Sequence, residues 1–194
     1  MTTTRLHMVR HGPTHAKTMV GWSDLPADLS DTAAIARLSN HLPHQAIVIS
    51  SDLSRAADTA SAIQGNRTRL PHRSDLREIN FGEWELRRFA EIDAEDPALI
   101  RAYWETPGDV RPPNGESWNE VCARVNAAID ALIAQHSGND LIIVAHFGVI
   151  LTQVQRALRL DAEQAFGHKI DNLSITELTH HAQGWDVARI NHLP

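Results

Sequence analysis

The sequence predicts an α/β fold, a three-layer α/β/α sandwich with a mostly parallel sheet and a small helical insertion. Three observations predict it. Unbroken apolar runs such as "AIVIS" (46–50) and "LIIVA" (141–145) read as strands buried on both faces. Segments with apolar residues at helical spacing follow these runs. An apolar content of 42% in 194 residues suits one domain, 1–194, with a sizeable core.

The first element is "RLHMV" (5–9), a short strand cut off by Gly12 and Pro13. The same break defeats a helical reading of His7, His11 and His15, whose spacing of four would otherwise stack three metal ligands on one face. "DTAAIARLSNHL" carries Ile35, Leu38 and Leu42 on one side and reads as an amphipathic helix. "AIVIS" is the second strand, and "SRAADTASAI" behind it is a helix with Ala56, Ala60 and Ile63 on one face. "LREINFGEWE" (76–85) reads as a loop pivoting on Gly82. A helical insertion over about 81–113 holds two short helices, the second starting near Pro97, a residue suited to a first helical turn. "SWNE" is a capping box, with Ser117 as N-cap and Glu120 three residues later. The helix it opens has Val121, Val125, Ala128, Ile129, Leu132 and Ile133 for its core face. "LIIVA" is the next strand, and "GVILTQVQRAL" is a helix with Ile150, Val154 and Leu158 four apart. "LSITEL" and "WDVARI", separated by "THHAQG", form a terminal hairpin that adds an antiparallel edge, with His180 and His181 in its solvated turn.

Lys plus Arg is 18 against 24 for Asp plus Glu, a net charge of −6, which weighs against nonspecific binding of nucleic acid or membrane. The one cysteine, Cys122, permits no intrachain disulfide and reads as a small buried helix residue. No signal-peptide-like apolar core and no membrane-length apolar run is present, so a cytoplasmic location is expected. A homodimer is left open.

The strand ends carry the chemistry. Arg10 and His11 follow the first strand, Ser50, Ser51 and Arg55 the second, and His146 the third. Ligands of such sheets bind outside the carboxyl ends of the strands, so two arginines and two histidines converge at one edge. Arginine forks match phosphate oxygens, and a neutral imidazole flanked by two guanidiniums is a competent nucleophile. The helix starting near Arg55 adds N–H groups for an anion. A leaving alkoxide needs a proton, and Glu78 and Glu83 are the candidate donors. His7 reads as a core histidine. Phe81, Trp84, Phe89 and Trp104 read as the core of the insertion, with Trp22 and Trp84 the aromatic residues to follow at a substrate site.

In order along the chain, "VRHGPT", "GWSDLPADLS", "SSDLSRAADTA", "LREINFGEWE", "NGESWNEVCARV" and "VAHFGVI" resemble the six signature segments of the histidine phosphatase superfamily, also called phosphoglycerate mutase-like. The wording is most similar to the branch of α-ribazole phosphatases and broad-specificity phosphatases. The resemblance implies that His11 is the nucleophile, that Arg10, Arg55 and His146 hold the phosphoryl oxygens, and that Glu78 rather than Glu83 is the proton donor. It implies no metal and no cofactor, and a small phosphorylated molecule as substrate.

Three positions depart from the pattern. Phe147 stands where Gly or Ala is usual after the second histidine, Lys17 where Asn is common, and Leu86 for the Gly of W-E-G. Lys17 is thereby a candidate phosphate contact or a cation at the rim. Only 37 residues separate Glu78 from Glu116, which favours a phosphatase over a phosphoglycerate mutase with its longer insertion. A catalytically silent module that binds phosphorylated ligands is the reading from another class.

Overall fold

A computed structural model of the chain describes residues 2–194. Six strands form one sheet: β1 (Thr4–Arg10), β2 (Ile47–Ser50), β3 (Thr68–Arg69), β4 (Asp140–Ala145), β5 (Ile175–His181) and β6 (Gly184–His192). Their order is β3-β2-β4-β1-β5-β6. The β3, β2, β4 and β1 neighbours pair in parallel, and β5 and β6 continue the sheet antiparallel beyond β1. The predicted mixed sheet with an antiparallel edge is therefore the one observed.

Among the described residues, seven α-helices accompany it: α1 (Thr32–His41), α2 (Ser54–Ile63), α3 (Phe89–Glu95), α4 (Pro97–Glu105), α5 (Trp118–Gln135), α6 (Phe147–Leu158) and α7 (Ala162–Phe166). Alternation along the strands divides the core in two. Val9, Val48, Ile142 and Val144 face α1 and α2, which contribute Ile35, Leu38, Ala56, Ala60 and Ile63. Leu6, Met8, Ile49, Leu141, Ile143 and Ala145 face the other way, against α5, α6 and residues of the 81–113 segment. Side chains of successive strand residues point to opposite faces, so a strand of unbroken apolar residues needs helices on both sides.

The Ser117–Glu120 capping box is present, the hydroxyl accepting from the Glu120 N–H and the carboxylate from the Ser117 N–H. Pro97 opens α4, and α3 precedes it, as expected of the insertion.

Several expectations need correction. The hairpin turn is shorter than "THHAQG": β5 runs through His181 and β6 starts at Gly184. His180 therefore lies in a strand with its ring on Trp185, and His181 faces Asp186 at 3.2 Å. Phe89 is not insertion core but 47% exposed, whereas Phe81, Trp84 and Tyr103 are buried and pack edge to face. The 76–85 loop contains a 3-10 turn over Gly82–Trp84. The two-residue strand β3 has no clear sequence signal, whereas α7 opens on a capping box, Asp161 with Gln164, that the sequence reading passed over.

Candidate active site

β1 and β4 are adjacent and in register, with Arg10 opposite Ala145. The residues that follow each strand are thus neighbours, and the His11 and His146 rings lie 5.1 Å apart between centroids, tilted by 60°. Both rings are buried. The His11 backbone is tied on both sides: its N–H donates to Ala145 O at 3.1 Å, and its carbonyl accepts from Asn172 Nδ2 at 2.8 Å. Thr59 of α2 fixes the next residue, its Oγ1 accepting from the Gly12 N–H at 2.9 Å.

The orientation of the His11 ring decides its chemistry. Nδ1 lies 2.6 Å from Gly12 O. A carbonyl can only accept, so Nδ1 carries the proton, and in the neutral ring the lone pair sits on Nε2. Burial, reinforced by the Arg55 and Arg10 charges and opposed by the Gly12 bond, lowers the His11 pKa to about 3. The ring is therefore neutral at ordinary pH. Burial, with His11, Arg55 and Arg10 adding, also lowers His146 well below its usual value. Neither His146 ring nitrogen has a hydrogen-bond partner among the described residues, although both are buried.

Arg10 and Arg55 are anchored by carbonyl oxygens rather than carboxylates. Arg10 Nη1 donates to Ile170 O at 2.6 Å, its Nε is buried without a partner, and its guanidinium lies 5.6 Å from the Phe147 ring centroid. Arg55 sits on the first turn of α2 and is buried. Its Nη1 and Nη2 donate to Ser23 O and Gly21 O at 2.8 and 2.6 Å. Carbonyl anchors fix each fork without neutralising its charge, so positive potential is retained for an anion.

Glu78 is buried beside them. Its Oε1 accepts from the N–H groups of Ile79 and Gly148, both at 3.0 Å. Burial raises its pKa, against those two N–H bonds and the Arg55 and Arg10 charges. Gly148 is required here, because a Cβ on it would stand 2.5 Å from Glu78 Oε1. Glu83 is elsewhere: it is exposed and accepts from Asn114 Nδ2 at 2.8 Å.

The backbone under Glu78 has its own support. Arg124 of α5 donates to the carbonyls of Asp75, Arg77 and Glu78, at 3.0, 2.9 and 3.2 Å, and forms a two-point pair with Glu116. Glu116 in turn accepts from the Asn80 N–H at 2.9 Å. Trp22, 37% exposed, donates its indole N–H to Glu78 O at 2.8 Å and lies beneath the Arg77 guanidinium.

The structure thus brings together His11, His146, Arg10, Arg55 and Glu78. Lys17 stands apart, exposed and with no hydrogen bond or ion pair among the described residues. The N-terminus of α2, expected to serve an anion, is already occupied: the Ser54 N–H and hydroxyl both donate to Asp24, each at 2.7 Å. The N-terminus of α6, with Glu78 on Gly148, is the one that faces the cluster. Sequence reasoning missed Glu85, Glu116 and Arg124 as supports; their presence in the "FGEWE" and "NGESWNEVCARV" segments was the available signal. Among the described residues, no group of three or more His, Cys, Asp or Glu side chains is arranged to hold a metal ion, and no helix is long and apolar enough to cross a membrane.

Comparison with known proteins gives this arrangement a context. Residues 6–193 match the family model described as histidine phosphatase superfamily (branch 1). The chain is 35% identical over 206 residues to glucosyl-3-phosphoglycerate phosphatase of Mycobacterium tuberculosis, covering 96% of this chain and 90% of that protein. It is 29% identical over 174 residues to adenosylcobalamin/alpha-ribazole phosphatase of Salmonella typhimurium, covering 86% of each. With bifunctional protein Rv2228c of Mycobacterium tuberculosis it is 30% identical, and there 97% of this chain spans only about half, 54%, of the relative's length. Among solved structures, Bacillus stearothermophilus YhfR superposes with a TM-score of 0.90 at 26% identity, covering 98% of both chains.

Proposed function

Because this chain belongs to the histidine phosphatase superfamily, we propose that it is a metal-independent phosphomonoesterase, organised as one domain, that carries the phosphoryl group transiently on His11. Relatives named as phosphatases support the phosphatase activity. The observation that carries the phosphohistidine step is the His11 Nδ1 bond to Gly12 O, which leaves Nε2 as the nucleophilic atom.

In this reading the phosphoryl oxygens lie between the Arg10 and Arg55 forks and the His146 ring. Nε2 of His11 attacks phosphorus as the ester P–O bond breaks, and Glu78 gives its proton to the departing alkoxide oxygen. A phosphate dianion beside Glu78 disfavours the carboxylate and favours the protonated acid, adding to the effect of burial. Water then attacks phosphorus, Glu78 takes its proton, the P–N bond breaks, and inorganic phosphate leaves. Enzyme and acid are returned to their starting states. Preorganised positive charge stabilises both transfers. Lys17 belongs to the rim, where an exposed cation attracts an anionic ester. The substrate is a small phosphorylated molecule.

The test is hydrolysis of 4-nitrophenyl phosphate in the presence of chelator, with wild type and His11→Ala side by side. Wild type turns over regardless of chelator, and the variant loses at least about 10⁴-fold in kcat, the scale seen when a nucleophile is deleted. Equal turnover by the two proteins overturns the assignment of His11. Activity abolished by chelator overturns metal independence. Wild type that binds phosphate and hydrolyses nothing makes the chain a silent binding module.

A further inference from the structure

Glu85 makes more bonds than a surface carboxylate needs. Its two oxygens accept from the backbone N–H groups of Gly21, Trp22, Ser23 and Phe81, at 3.1, 2.7, 3.2 and 3.1 Å, and from the Ser23 hydroxyl at 2.7 Å. Four of these five donors belong to one three-residue turn, 62 to 64 residues away in sequence. That turn makes the contacts that matter at the site. The carbonyls of Gly21 and Ser23 hold the two ends of the Arg55 fork, and the Trp22 indole holds the carbonyl of Glu78.

The closeness is built in. A Cβ on Gly21 would stand 2.0 Å from Ile79 O and 2.4 Å from Glu85 Oε1, so the turn lies directly against both the Glu78 loop and the Glu85 carboxylate. The N–H groups of the turn point to Glu85 while its carbonyls point to Arg55. The Gly21–Trp22 peptide group does both at once, its N–H on Glu85 and its carbonyl on Arg55, so charge at one side polarises the grip on the other. Arg55 uses two N–H groups on these carbonyls, which leaves the rest of its fork for a ligand.

We propose that Glu85 is a positioning residue that acts at a distance on both halves of the reaction. Through the carbonyls of Gly21 and Ser23 it sets the orientation of Arg55 toward phosphate, and through the Trp22 indole it sets the depth of Glu78. It touches neither substrate nor reacting atoms. The inference rests on the phosphatase reading for the meaning of Arg55 and Glu78.

The test is a double-mutant cycle read by inorganic phosphate affinity, with turnover recorded separately. Glu85→Gln is near-isosteric but offers an NH2 where the turn presents donors. It weakens phosphate binding about 10-fold in the wild-type background and less than about 2-fold in an Arg55→Ala background, because the effect passes through Arg55. Glu85→Asp recovers part of the affinity that Glu85→Ala loses. Trp22→Phe, which removes the indole N–H together with part of the ring surface beneath Arg77, lowers kcat for an alkyl phosphate and leaves phosphate affinity unchanged. Equal losses from Glu85→Gln in the two backgrounds overturn the proposal. So does a lowered Tm with unchanged affinity, since that is a role in folding alone. If Glu85→Gln does not fold, Ser23→Ala takes its place in the cycle, with a smaller loss that must also vanish without Arg55. Phosphate affinity needs no turnover. Wild type that binds phosphate but hydrolyses no ester therefore overturns the phosphatase reading while the Arg55 coupling stands or falls separately, and wild type that binds no phosphate overturns both.

Discussion

Both ends of the sheet gather histidines and arginines, and they use them differently. At the amino end of β1 and β4, Arg5 pairs with Asp140 and Arg189 with Glu177. His7 and His41 stand 3.4 and 3.8 Å from one oxygen of Glu177, and His41 stacks on His192. Arg5 and Arg189 there each have a carboxylate. At the carboxyl end, Arg10 and Arg55 rest on the carbonyls of Ile170, Gly21 and Ser23, and the one carboxylate among them, Glu78, gives its bonds to N–H groups. A cluster of histidines therefore does not mark a phosphate site. Arginines on neutral acceptors keep their charge for a ligand only where they also flank the buried His11 and His146 rings; Arg67, held by the carbonyls of Pro43, Ser39, Leu42 and Ile63, lies away from both.

This contrast is sharpest under substitution of its arginines. Arg55→Ala lowers kcat/KM by about 10³-fold, the low end of what a phosphoryl-stabilising arginine supplies, while Arg189→Ala leaves it within about 2-fold. Equal effects in a kinetic comparison would erase the distinction between the two ends.

The next largest effect concerns Glu78. Glu78→Gln costs about 10²-fold on an alkyl phosphate, whose leaving oxygen needs a proton, and less on 4-nitrophenyl phosphate, whose leaving group does not. The same variant reshapes the pH profile. Wild-type kcat falls as pH rises through the raised pKa of Glu78, because the acid must be protonated. It also falls as pH drops toward about 3, where His11 takes up a proton and loses its lone pair. The glutamine variant keeps the acid limb and loses the alkaline one. A profile unchanged by the substitution would remove Glu78 from the proton transfer.

A smaller effect separates the ends through stability. Burial lowers the pKa of His11, His146 and His7 alike, so from about pH 6.5 downward the unfolded chain binds protons that the folded chain does not. Stability is then greatest above about pH 6.5 and declines as pH falls toward 3. His7→Gln removes part of that decline in denaturant titrations and leaves kcat/KM within about 2-fold. A kinetic loss in that variant would show that the two ends are coupled.

The smallest effect lies next to Glu85. Leu86 is half exposed and has φ of 61°, in the left-handed region. Leu86→Gly relieves the clash of Cβ with the following carbonyl and raises stability by about 1 kcal/mol. The glycine usual in the W-E-G pattern thus has a backbone reason. Thermal unfolding checks it; a lowered Tm would mean that Leu86 contributes packing worth more than the strain.

Legibility in the sequence followed how far each interaction reaches along the chain. Local signals were read well: the Ser117–Glu120 box, Pro97 at the start of α4, and the apolar runs of β2 and β4 all report on residues within a few positions. The helix caps that matter at the site are remote. Asp24 caps α2 from 30 residues away and Glu78 caps α6 from 70, so no window on the helix itself reveals them. The five bonds of Glu85 are hidden for the same reason. His180 and His181 look like turn residues because the polar run that ends β5 carries no alternation to read. Phe89 looked like core because its hydrophobicity is visible and its exposure is not.

The position of β4 has a consequence in time. It lies between β1 and β2, which precede it in the chain yet do not touch in the sheet. A nascent chain that has emerged only through α5 holds Arg10, His11 and Arg55 but no strand to seat them side by side. His146 and the Gly148 N–H that receives Glu78 arrive with or just after that strand. A slip of β4 by one residue would exchange the side chains it sends to the two helical layers and move His146 off the end of β1. On the proposed activity, turnover reports the moment at which the middle strand is inserted in register, and a refolding chain should gain activity and its last native strand pairing in the same kinetic step.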